Sequence, residues 1–222
     1  MGEQMYSREI ENKKKHLKLL EKQREILVGL ILGDGHLETQ NKGRTYRLKV
    51  EQCIEHAGYV NHLHEIFKDW VNSPPRVRLR SGKDGMNCEM IGFQTLSHAS
   101  FRFYAQQFYS NGKKKIPKMI NKLLTPKALA YWFMDDGSMK WRSSRAVIFN
   151  TQGYCHDEVE KLVSVLKSQF ILDASLRKQK EGPQICIRGN SLERFVTLVG
   201  PYLLKEMWYK IPESGRTYLP KM

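Results

Sequence analysis

The chain has 222 residues, 41% of them hydrophobic and 27% charged, so it can bury a core as one large domain or as two small ones. Its 37 Lys and Arg outnumber its 23 Asp and Glu, which gives a formal charge of +14 and a pI near 9.6. This balance predicts a polyanionic partner and favours nucleic acid. A membrane protein is disfavoured, because the charge is spread along the chain and no apolar run approaches the roughly 20 residues of a membrane span.

The cysteines and histidines offer no metal-binding or disulfide pattern. The four cysteines lack CxxC spacing, and His62 and His64, two residues apart, would diverge on a helix. No apolar leader opens the chain. We therefore expect a reduced, intracellular protein with ordinary surface or core histidines.

The first third of the chain begins with a basic segment and continues into a buried helix. Residues 7–25 are mostly charged, so we expect an exposed helix or a basic arm over residues 1–24. Residues 26–33 are almost entirely apolar and are followed by Asp34-Gly35, which predicts a buried helix that ends at the carboxylate. Alternating apolar and charged residues at 46–51 then predict a strand with a basic polar face.

The next segments predict a helix, a hairpin and another helix. Apolar residues within 57–71 recur at helical spacing, and Pro74-Pro75 ends the predicted helix. Residues 76–80 and 88–95 predict two strands, with Asp84-Gly85 as the hairpin turn. A helix over 97–109 and a basic segment over 111–117 complete this part of the chain.

This order of elements then recurs. Residues 129–137 form a second apolar segment that ends in Asp136-Gly137, with Thr125 and Pro126 placed as N-cap and first helical residue. A strand over 145–152, a helix over 156–170, a hairpin pairing 174–180 with 184–188, and a helix from residue 191 follow. Asp136 follows Asp34 by 102 residues and Pro212 follows Pro117 by 95, so a tandem duplication with small loop differences explains both. We predict two halves, 25–122 and 123–222, each with an αββαββα order.

The two apolar segments carry a resemblance to a known family. Residues 27–35, Leu-Val-Gly-Leu-Ile-Leu-Gly-Asp-Gly, resemble the motif that names the LAGLIDADG homing endonucleases, with agreement at six of nine positions. Residues 129–137 agree at four positions and are similar to a variant found in single-chain members with two motifs. The resemblance covers nearly the whole chain. It implies an α/β (α+β) monomer of two pseudosymmetric halves, with antiparallel saddle-shaped sheets and the motif helices at the central interface.

The resemblance also implies a metal site at the ends of the motif helices. Small residues allow close helix approach, and the candidates are Gly29, Gly33, Ala130 and Gly137. Close approach would bring Asp34 and Asp136 together around divalent cations, helped by the main-chain carbonyls of Gly33 and Asp135. Mg²⁺ is expected, with Mn²⁺ as a substitute and Ca²⁺ supporting binding without cleavage. For either copy alone, Asp-Gly is also the pattern of a helix C-cap and turn.

Basic and amide residues complete the implied site. Lys210 matches an active-site lysine of the family, whereas the run Lys113-Lys114-Lys115 leaves the first-half lysine open, with Lys114 favoured. The alternative for these lysines is a solvated basic turn that touches phosphate. Gln52 and Gln152, each expected to end the second strand of its half, resemble positions that orient water.

DNA contacts are expected from the charged faces of the strands, because alternate side chains of a sheet in the major groove reach bases and phosphates. The candidates are Arg47, Lys49, Arg76, Arg78, Arg80, Arg142, Arg145, Arg177 and Arg188.

The resemblance implies a double-strand DNA endonuclease that cuts a long, non-palindromic target, leaves 3′ overhangs and spreads its intron or intein. The host is then an organelle, mitochondrion or chloroplast, or a prokaryote, and the choice stays open. Two rivals use the same fold differently: an intron-encoded maturase that binds host intron RNA, and a DNA-binding regulator that does not cleave. Retention of both Asp34 and Asp136 favours the endonuclease.

Overall fold

The computed structural model describes residues 2–81 and 87–221, with only the backbone described for residues 2–7. The predicted hairpin turn at Asp84-Gly85 lies outside the described residues. Tertiary contacts divide the chain into two compact units, Met1–Arg24 with Gly35–Ala105 and Glu25–Asp34 with Gln106–Met222. Within the described ranges, no helix is long and apolar enough to cross a membrane.

The first unit is a four-stranded antiparallel sheet covered by helices. Its helices are α1 (Gly2–His16), the first turn of α2 (Glu21–Leu32), α3 (Ala57–Ile66) and most of α4 (Arg102–Phe108). Its strands are β1 (His36–Glu38), β2 (Arg47–Cys53), β3 (Arg76–Ser81) and β4 (Asn87–Gln94), in the order β1-β2-β4-β3. Leu48 and Val50 of β2 are buried, while Lys49 between them is half-buried. The predicted two-residue alternation of this strand is therefore confirmed.

The second unit contains the rest of α2 and repeats the same sheet topology. After a small hairpin of β5 (Tyr109–Ser110) and β6 (Lys113–Lys114), the helices are α5 (Ile120–Leu123), α6 (Pro126–Asp136), α7 (His156–Phe170), α8 (Leu192–Val199) and α9 (Glu213–Arg216). The sheet strands are β7 (Gly137–Met139), β8 (Val147–Phe149), β9 (Ala174–Arg177) and β10 (Gln184–Ile187), in the order β7-β8-β10-β9. Large buried side chains such as Trp132, Phe133 and Phe195 fill its core.

The repeat predicted from the sequence is confirmed in the order of the elements. The run α2-β1-β2-α3-β3-β4-α4 is followed by α6-β7-β8-α7-β9-β10-α8, and both read αββαββα. The compact units follow a different division, because residues 25–34 group with residues 106–222. The halves 25–122 and 123–222 were predicted as the two copies of the duplication, and these bounds stay a prediction.

The two motif helices pack closely inside the second unit. A Cβ atom at Gly29 of α2 would lie 2.4 Å from the carbonyl oxygen of Ala128 and 2.8 Å from Cβ of Tyr131, both in α6. The space beside Gly33 is likewise filled by Asp135, because a Cβ atom at Gly33 would lie 2.4 Å from Cβ of Asp135. Of the four small residues proposed for this contact, Gly137 differs, because a side chain there would meet Phe133 of its own helix.

The start of α6 agrees with its sequence signal. The Thr125 hydroxyl accepts a hydrogen bond from the Ala128 amide, and Pro126 is the first helical residue. Asp136 is the last residue of α6, and Gly137 begins β7 directly.

Several predicted boundaries were wrong, and the largest error concerns the strand over 145–152. The strand β8 spans only Val147–Phe149, so Arg145 lies in the preceding loop and Gln152 in the following turn. The hydroxyl of Ser144 accepts from the Ala146 amide before the strand, and the Thr151 hydroxyl donates to the Pro183 carbonyl at 2.8 Å after it. These side-chain bonds hold the backbone of the segments that flank β8.

We expect Gly29→Ala to lower the free energy of unfolding by roughly 1 to 3 kcal/mol, because backbone atoms of α6 leave no room for a methyl group. Chemical denaturation of the metal-free protein measures this. Gly153→Ala is the matched control, since a Cβ there meets nothing within 4 Å. Equal stability of the two variants would contradict the packing argument.

Candidate active site

Asp34 and Asp136 lie at the ends of the paired helices. Helix α2 ends at Leu32, so Asp34 lies in a turn just beyond it, whereas Asp136 closes α6. The Asp34 amide donates to Oδ2 of Asp135 at 3.0 Å, which ties the end of α2 to α6. Asp34 is exposed and Asp136 is half-buried. The predicted convergence of the two aspartates on one end of the helix pair is therefore present in the structure.

The carboxyl group of Asp136 is electrostatically strained. Burial, followed by the negative charge of Asp34, raises the pKa of Asp136 to about 7. The indole of Trp132, which donates to Oδ2 of Asp136 at 3.2 Å, lowers this pKa, as do Lys114 and Lys210. A cation beside the Asp136 carboxyl would stabilise its anionic form against burial and the neighbouring negative charge.

Two lysines contact equivalent main-chain carbonyls. Lys114 donates from Nζ to the Gly33 carbonyl, and Lys210 donates from Nζ to the carbonyls of Met134 and Asp135, the latter at 3.0 Å. Gly33 and Asp135 each precede a motif aspartate, so the lysine contact is repeated in the two copies. Burial lowers the pKa of both lysines, against the charges of the neighbouring aspartates.

A tight hairpin positions Lys114. Asn111 and Gly112, at φ of 49° and 75°, form the turn that joins β5 to β6, and Tyr109 pairs with Lys114 across the hairpin. The Ile116 amide then donates to Oε1 of Glu158 at 2.9 Å, which fixes the end of the segment to α7. Within the run of three lysines, Lys113 is exposed, and the contact with the Gly33 carbonyl is made by Lys114.

The donor set fits a hard divalent cation. The Asp34 and Asp136 carboxylates and the Gly33 and Asp135 carbonyls supply oxygen atoms alone, which are the ligands that Mg²⁺, Mn²⁺ and Ca²⁺ take. Burial and the negative charge of Asp34 both raise the pKa of Asp136, and such a cation would oppose both effects.

Three side-chain contacts near this end of the helices were not predicted from the sequence. Trp132 is fully buried, and its indole also holds Asp136. Asp135 was expected to act through its carbonyl, yet its carboxyl group receives the Asp34 amide. The buried Tyr154 donates to the Leu32 carbonyl at 3.0 Å, and burial raises its pKa. The four-residue spacing of Trp132 and Asp136 is a sequence signal for their contact, because such residues share a helix face.

The glutamines do not occupy equivalent positions. The cross-strand pairs two residues after each motif aspartate are His36 with Lys49, and Ser138 with Ile148. Lys49 and Ile148 are therefore equivalent in the two copies. Three residues after them, the equivalent positions hold Gln52 and Thr151. Gln52 lies in β2 opposite Ile91, whereas Gln152 lies in a turn after β8, so the expectation that Gln152 ends a strand was wrong. Thr151 is fully buried.

The candidate DNA-binding residues of the first unit share one face of its sheet. These residues are Arg47 and Lys49 of β2 and Arg76, Arg78 and Arg80 of β3. Cross-strand pairing places Lys49, Arg76 and Arg78 opposite alternate residues of β4, and a shallow pocket on that face contains all three. Glu38 and Glu51 lie among them, with Glu38 2.6 Å from Arg47. We call this basic surface face A.

The candidates of the second unit come mostly from loops. Arg177 ends β9, Arg188 follows β10 and lies 3.6 Å from Asp173, and Arg145 precedes β8. These three arginines line one pocket together with Trp141. Arg142 is exposed in the same loop as Trp141 and is not among the residues of that pocket. The strand alternation that selected Arg142 and Arg145 was wrong, since neither residue is in a strand.

Two copies of an αββαββα unit, with their first helices paired at aspartate-bearing ends, define the LAGLIDADG fold. Residues 24–195 match the LAGLIDADG DNA endonuclease family, and the chain belongs to it. The chain is 34% identical over 212 residues to "Probable intron-encoded endonuclease 1" of Wickerhamomyces canadensis, covering 92% of this chain and 90% of that protein.

A solved structure and a relative of different activity extend the comparison. The homing endonuclease I-WcaI bound to its DNA recognition sequence superposes with a TM-score of 0.86 at 33% identity, covering 91% of each chain. "Cytochrome b mRNA maturase bI2" of Saccharomyces cerevisiae is 30% identical over 198 residues, which are 84% of this chain and 46% of that protein. The family therefore includes proteins named for DNA cleavage and for RNA processing.

We expect Asp136→Asn to stabilise the metal-free protein as pH rises. Because the folded-state pKa is raised, the folded protein keeps a proton that the unfolded chain loses, so wild type loses stability between about pH 4 and pH 7. The free energy of unfolding of the variant should rise relative to that of wild type across this window. Above pH 7 it should be larger by on the order of 2 to 4 kcal/mol. Urea unfolding in a chelator measures the difference.

The control for this pH series is Asp157→Asn, which changes a side chain that is 97% exposed. No comparable gain is expected there. If the difference in free energy of unfolding between wild type and Asp136→Asn stayed constant from pH 4 to pH 8, the raised pKa of Asp136 would be wrong.

Proposed function

We propose that this protein is a site-specific, metal-dependent DNA endonuclease that makes a double-strand break. The observation that carries the proposal is the duplicated arrangement of the site. Each motif helix presents an aspartate, and the carbonyl before each aspartate accepts a hydrogen bond from a lysine of its own copy, Lys114 or Lys210. Two similar sets of groups suit the cleavage of two similar bonds, one in each DNA strand.

The metal would be held by the Asp34 and Asp136 carboxylates and the Gly33 and Asp135 carbonyls. Bound Mg²⁺, or Mn²⁺ in its place, supplies an activated water and neutralises the oxygen that leaves the phosphodiester. Ca²⁺ is proposed to support binding without cleavage. The lysines carry positive charge beside the aspartates and would stabilise charge that develops on the phosphate. Gln52 stays a candidate for orienting water.

DNA would bind to face A and to the arginines around Trp141. Arg76, Arg78 and Arg80 are exposed along the full length of β3, which suits contact with bases or phosphates in a groove. The two sheets carry different side chains, so the proposed target is long and not palindromic. Because one chain supplies both halves, a monomer would suffice for cleavage. The proposed DNA products have 3′ overhangs.

The proposed biological role is the spreading of an intron or intein, supported by the likeness to an intron-encoded endonuclease. The host would be an organelle or a prokaryotic cell. The likeness to an mRNA maturase supports a second candidate, the binding of host intron RNA. The paired aspartates favour the endonuclease, since RNA binding alone does not require them.

The most direct test is incubation with a randomised double-stranded DNA library and Mg²⁺, followed by sequencing of the cut ends. A single recurrent cut site with 3′ overhangs is expected. Uncut DNA together with selective retention of intron RNA would replace the endonuclease with the maturase.

We expect Asp34→Asn and Asp136→Asn each to abolish double-strand cleavage of the recovered site while retaining binding in Ca²⁺. Lys114→Met should slow cleavage by roughly 10²- to 10³-fold, because it removes charge stabilisation at the reacting phosphate. Lys113→Met is the matched control and should cleave at nearly the wild-type rate, since Lys113 is exposed. Full activity in either aspartate variant would remove these residues from the site.

Arg78→Ala should weaken binding of the recovered site at least tenfold and lower the slope of log K against log[salt] by about 1, as expected when one phosphate contact is lost. Fluorescence anisotropy in Ca²⁺ at several salt concentrations measures both quantities. Lys68→Ala removes an exposed charge from a short helical turn outside face A and should leave the slope unchanged. Equal slopes for wild type and Arg78→Ala would exclude Arg78 from the DNA interface.

A further inference from the structure

We propose that the side chain of Asp135 is a positioning residue that holds the main chain of Asp34, while Asp136 is held separately by Trp132. The two catalytic carboxylates would then be set by different contacts, and each contact could be broken without the other. The positioning role can be tested in the free protein. Its consequence for DNA cleavage rests on the proposed function.

The contact with Asp34 comes where α2 ends. The Gly33 amide bonds to the Gly29 carbonyl at 3.1 Å, which continues the helical pattern to that residue. The next amide, that of Asp34, donates to Oδ2 of Asp135 at 3.0 Å. A carboxylate that accepts a backbone N–H forms a charge-assisted hydrogen bond, which is stronger than a bond between neutral groups. The turn that carries the Asp34 side chain is therefore fastened to α6.

This contact exists because position 33 is glycine. A Cβ atom there would lie 2.4 Å from Cβ and 2.5 Å from Oδ2 of Asp135, in the space that the carboxyl group occupies. Gly33 and Asp135 are equivalent in the two motifs, so the contact runs in one direction only. A glycine has no side chain that could hold the end of α6 in return.

Asp136 is held by a different donor. The indole Nε1 of Trp132 donates to Oδ2 of Asp136 at 3.2 Å, from one helical turn earlier in α6. The equivalent of Trp132 in α2 is Leu30, whose side chain has no donor atom. One carboxylate is thus positioned through its backbone by the opposite helix, and the other through its side chain by its own helix.

Hydrogen exchange followed by NMR tests the Asp135 contact without DNA or metal. In Asp135→Ala, the Asp34 amide should exchange roughly 10- to 100-fold faster than in wild type, as expected for a lost bond to a charged acceptor. Asp135→Asn keeps an acceptor oxygen and should restore most of the protection. The Gly33 amide serves as internal reference and should change little.

Two outcomes of the exchange experiment would overturn the proposal. One is an unchanged Asp34 amide in Asp135→Ala. The other is an equal loss of protection at Gly33 and Asp34, because this would show a general fraying of the end of α2 in place of a specific contact.

Strand bias in cleavage tests the consequence. On a supercoiled plasmid that carries the recovered cut site, Asp135→Ala should slow the cutting of one strand about tenfold more than the other and accumulate nicked circles of one polarity. Trp132→Phe keeps most of the buried aromatic volume but removes the donor, and it should bias nicking to the opposite strand. Asp157→Ala, which removes an exposed carboxylate, should show no bias.

The failures of the two proposals are distinguishable. If both variants slow the two strands equally, the separate positioning of the carboxylates is wrong. If wild type cuts no DNA, the endonuclease is wrong, and the exchange experiment alone then decides whether Asp135 positions Asp34.

Discussion

The site depends on how closely the backbones of α2 and α6 approach each other. At Gly29 a single methyl group would lie 2.4 Å from a carbonyl oxygen of the other helix, so the distance between the helices is set by the absence of a side chain. Wider separation would carry Asp34 away from Asp135 and Asp136. The strain on the Asp136 carboxyl therefore follows from the same packing that brings the negative charge of Asp34 near it.

Helices α2 and α6 fit each other because they differ in sequence. At equivalent positions, their residues are complementary in charge or in size. Three such pairs, one turn apart, face each other: Glu25 with Lys127, Gly29 with Tyr131, and Gly33 with Asp135. Glu25 and Lys127 form an ion pair in which each side chain is only about a fifth exposed. A pair of identical α2 helices would place like charges together and leave both small positions unfilled, and a pair of α6 helices would crowd both. The duplication has thus diverged toward pairing within one chain.

Sequence patterns predicted the elements that are strongly periodic, and they failed where short polar segments decide the backbone. The αββαββα repeat could be read because the motif helices are apolar and end alike. The strand near Val147 was extended too far, since hydrogen bonds between the backbone and the hydroxyls of Ser144 and Thr151 cannot be inferred from alternation. The same limit applies to Lys114, whose contact with the Gly33 carbonyl joins residues 81 positions apart. Such tertiary bonds leave no local pattern.

Face A combines arginines that are held in place with arginines that extend into solvent. Oε1 of Glu38 accepts a hydrogen bond from Nε of Arg47 and lies 2.6 Å from its Nη2, and this ordering of Arg47 reduces the side-chain entropy that binding would cost. The arginines of β3 are exposed, so they keep more rotamer freedom, and ordering them in a contact with phosphate would cost more side-chain entropy. Ordered arginines would then contribute more to the choice of sequence, and exposed ones more to affinity. If face A binds DNA as proposed, its acidic residues would aid recognition by orienting basic neighbours, even though they reduce the net charge.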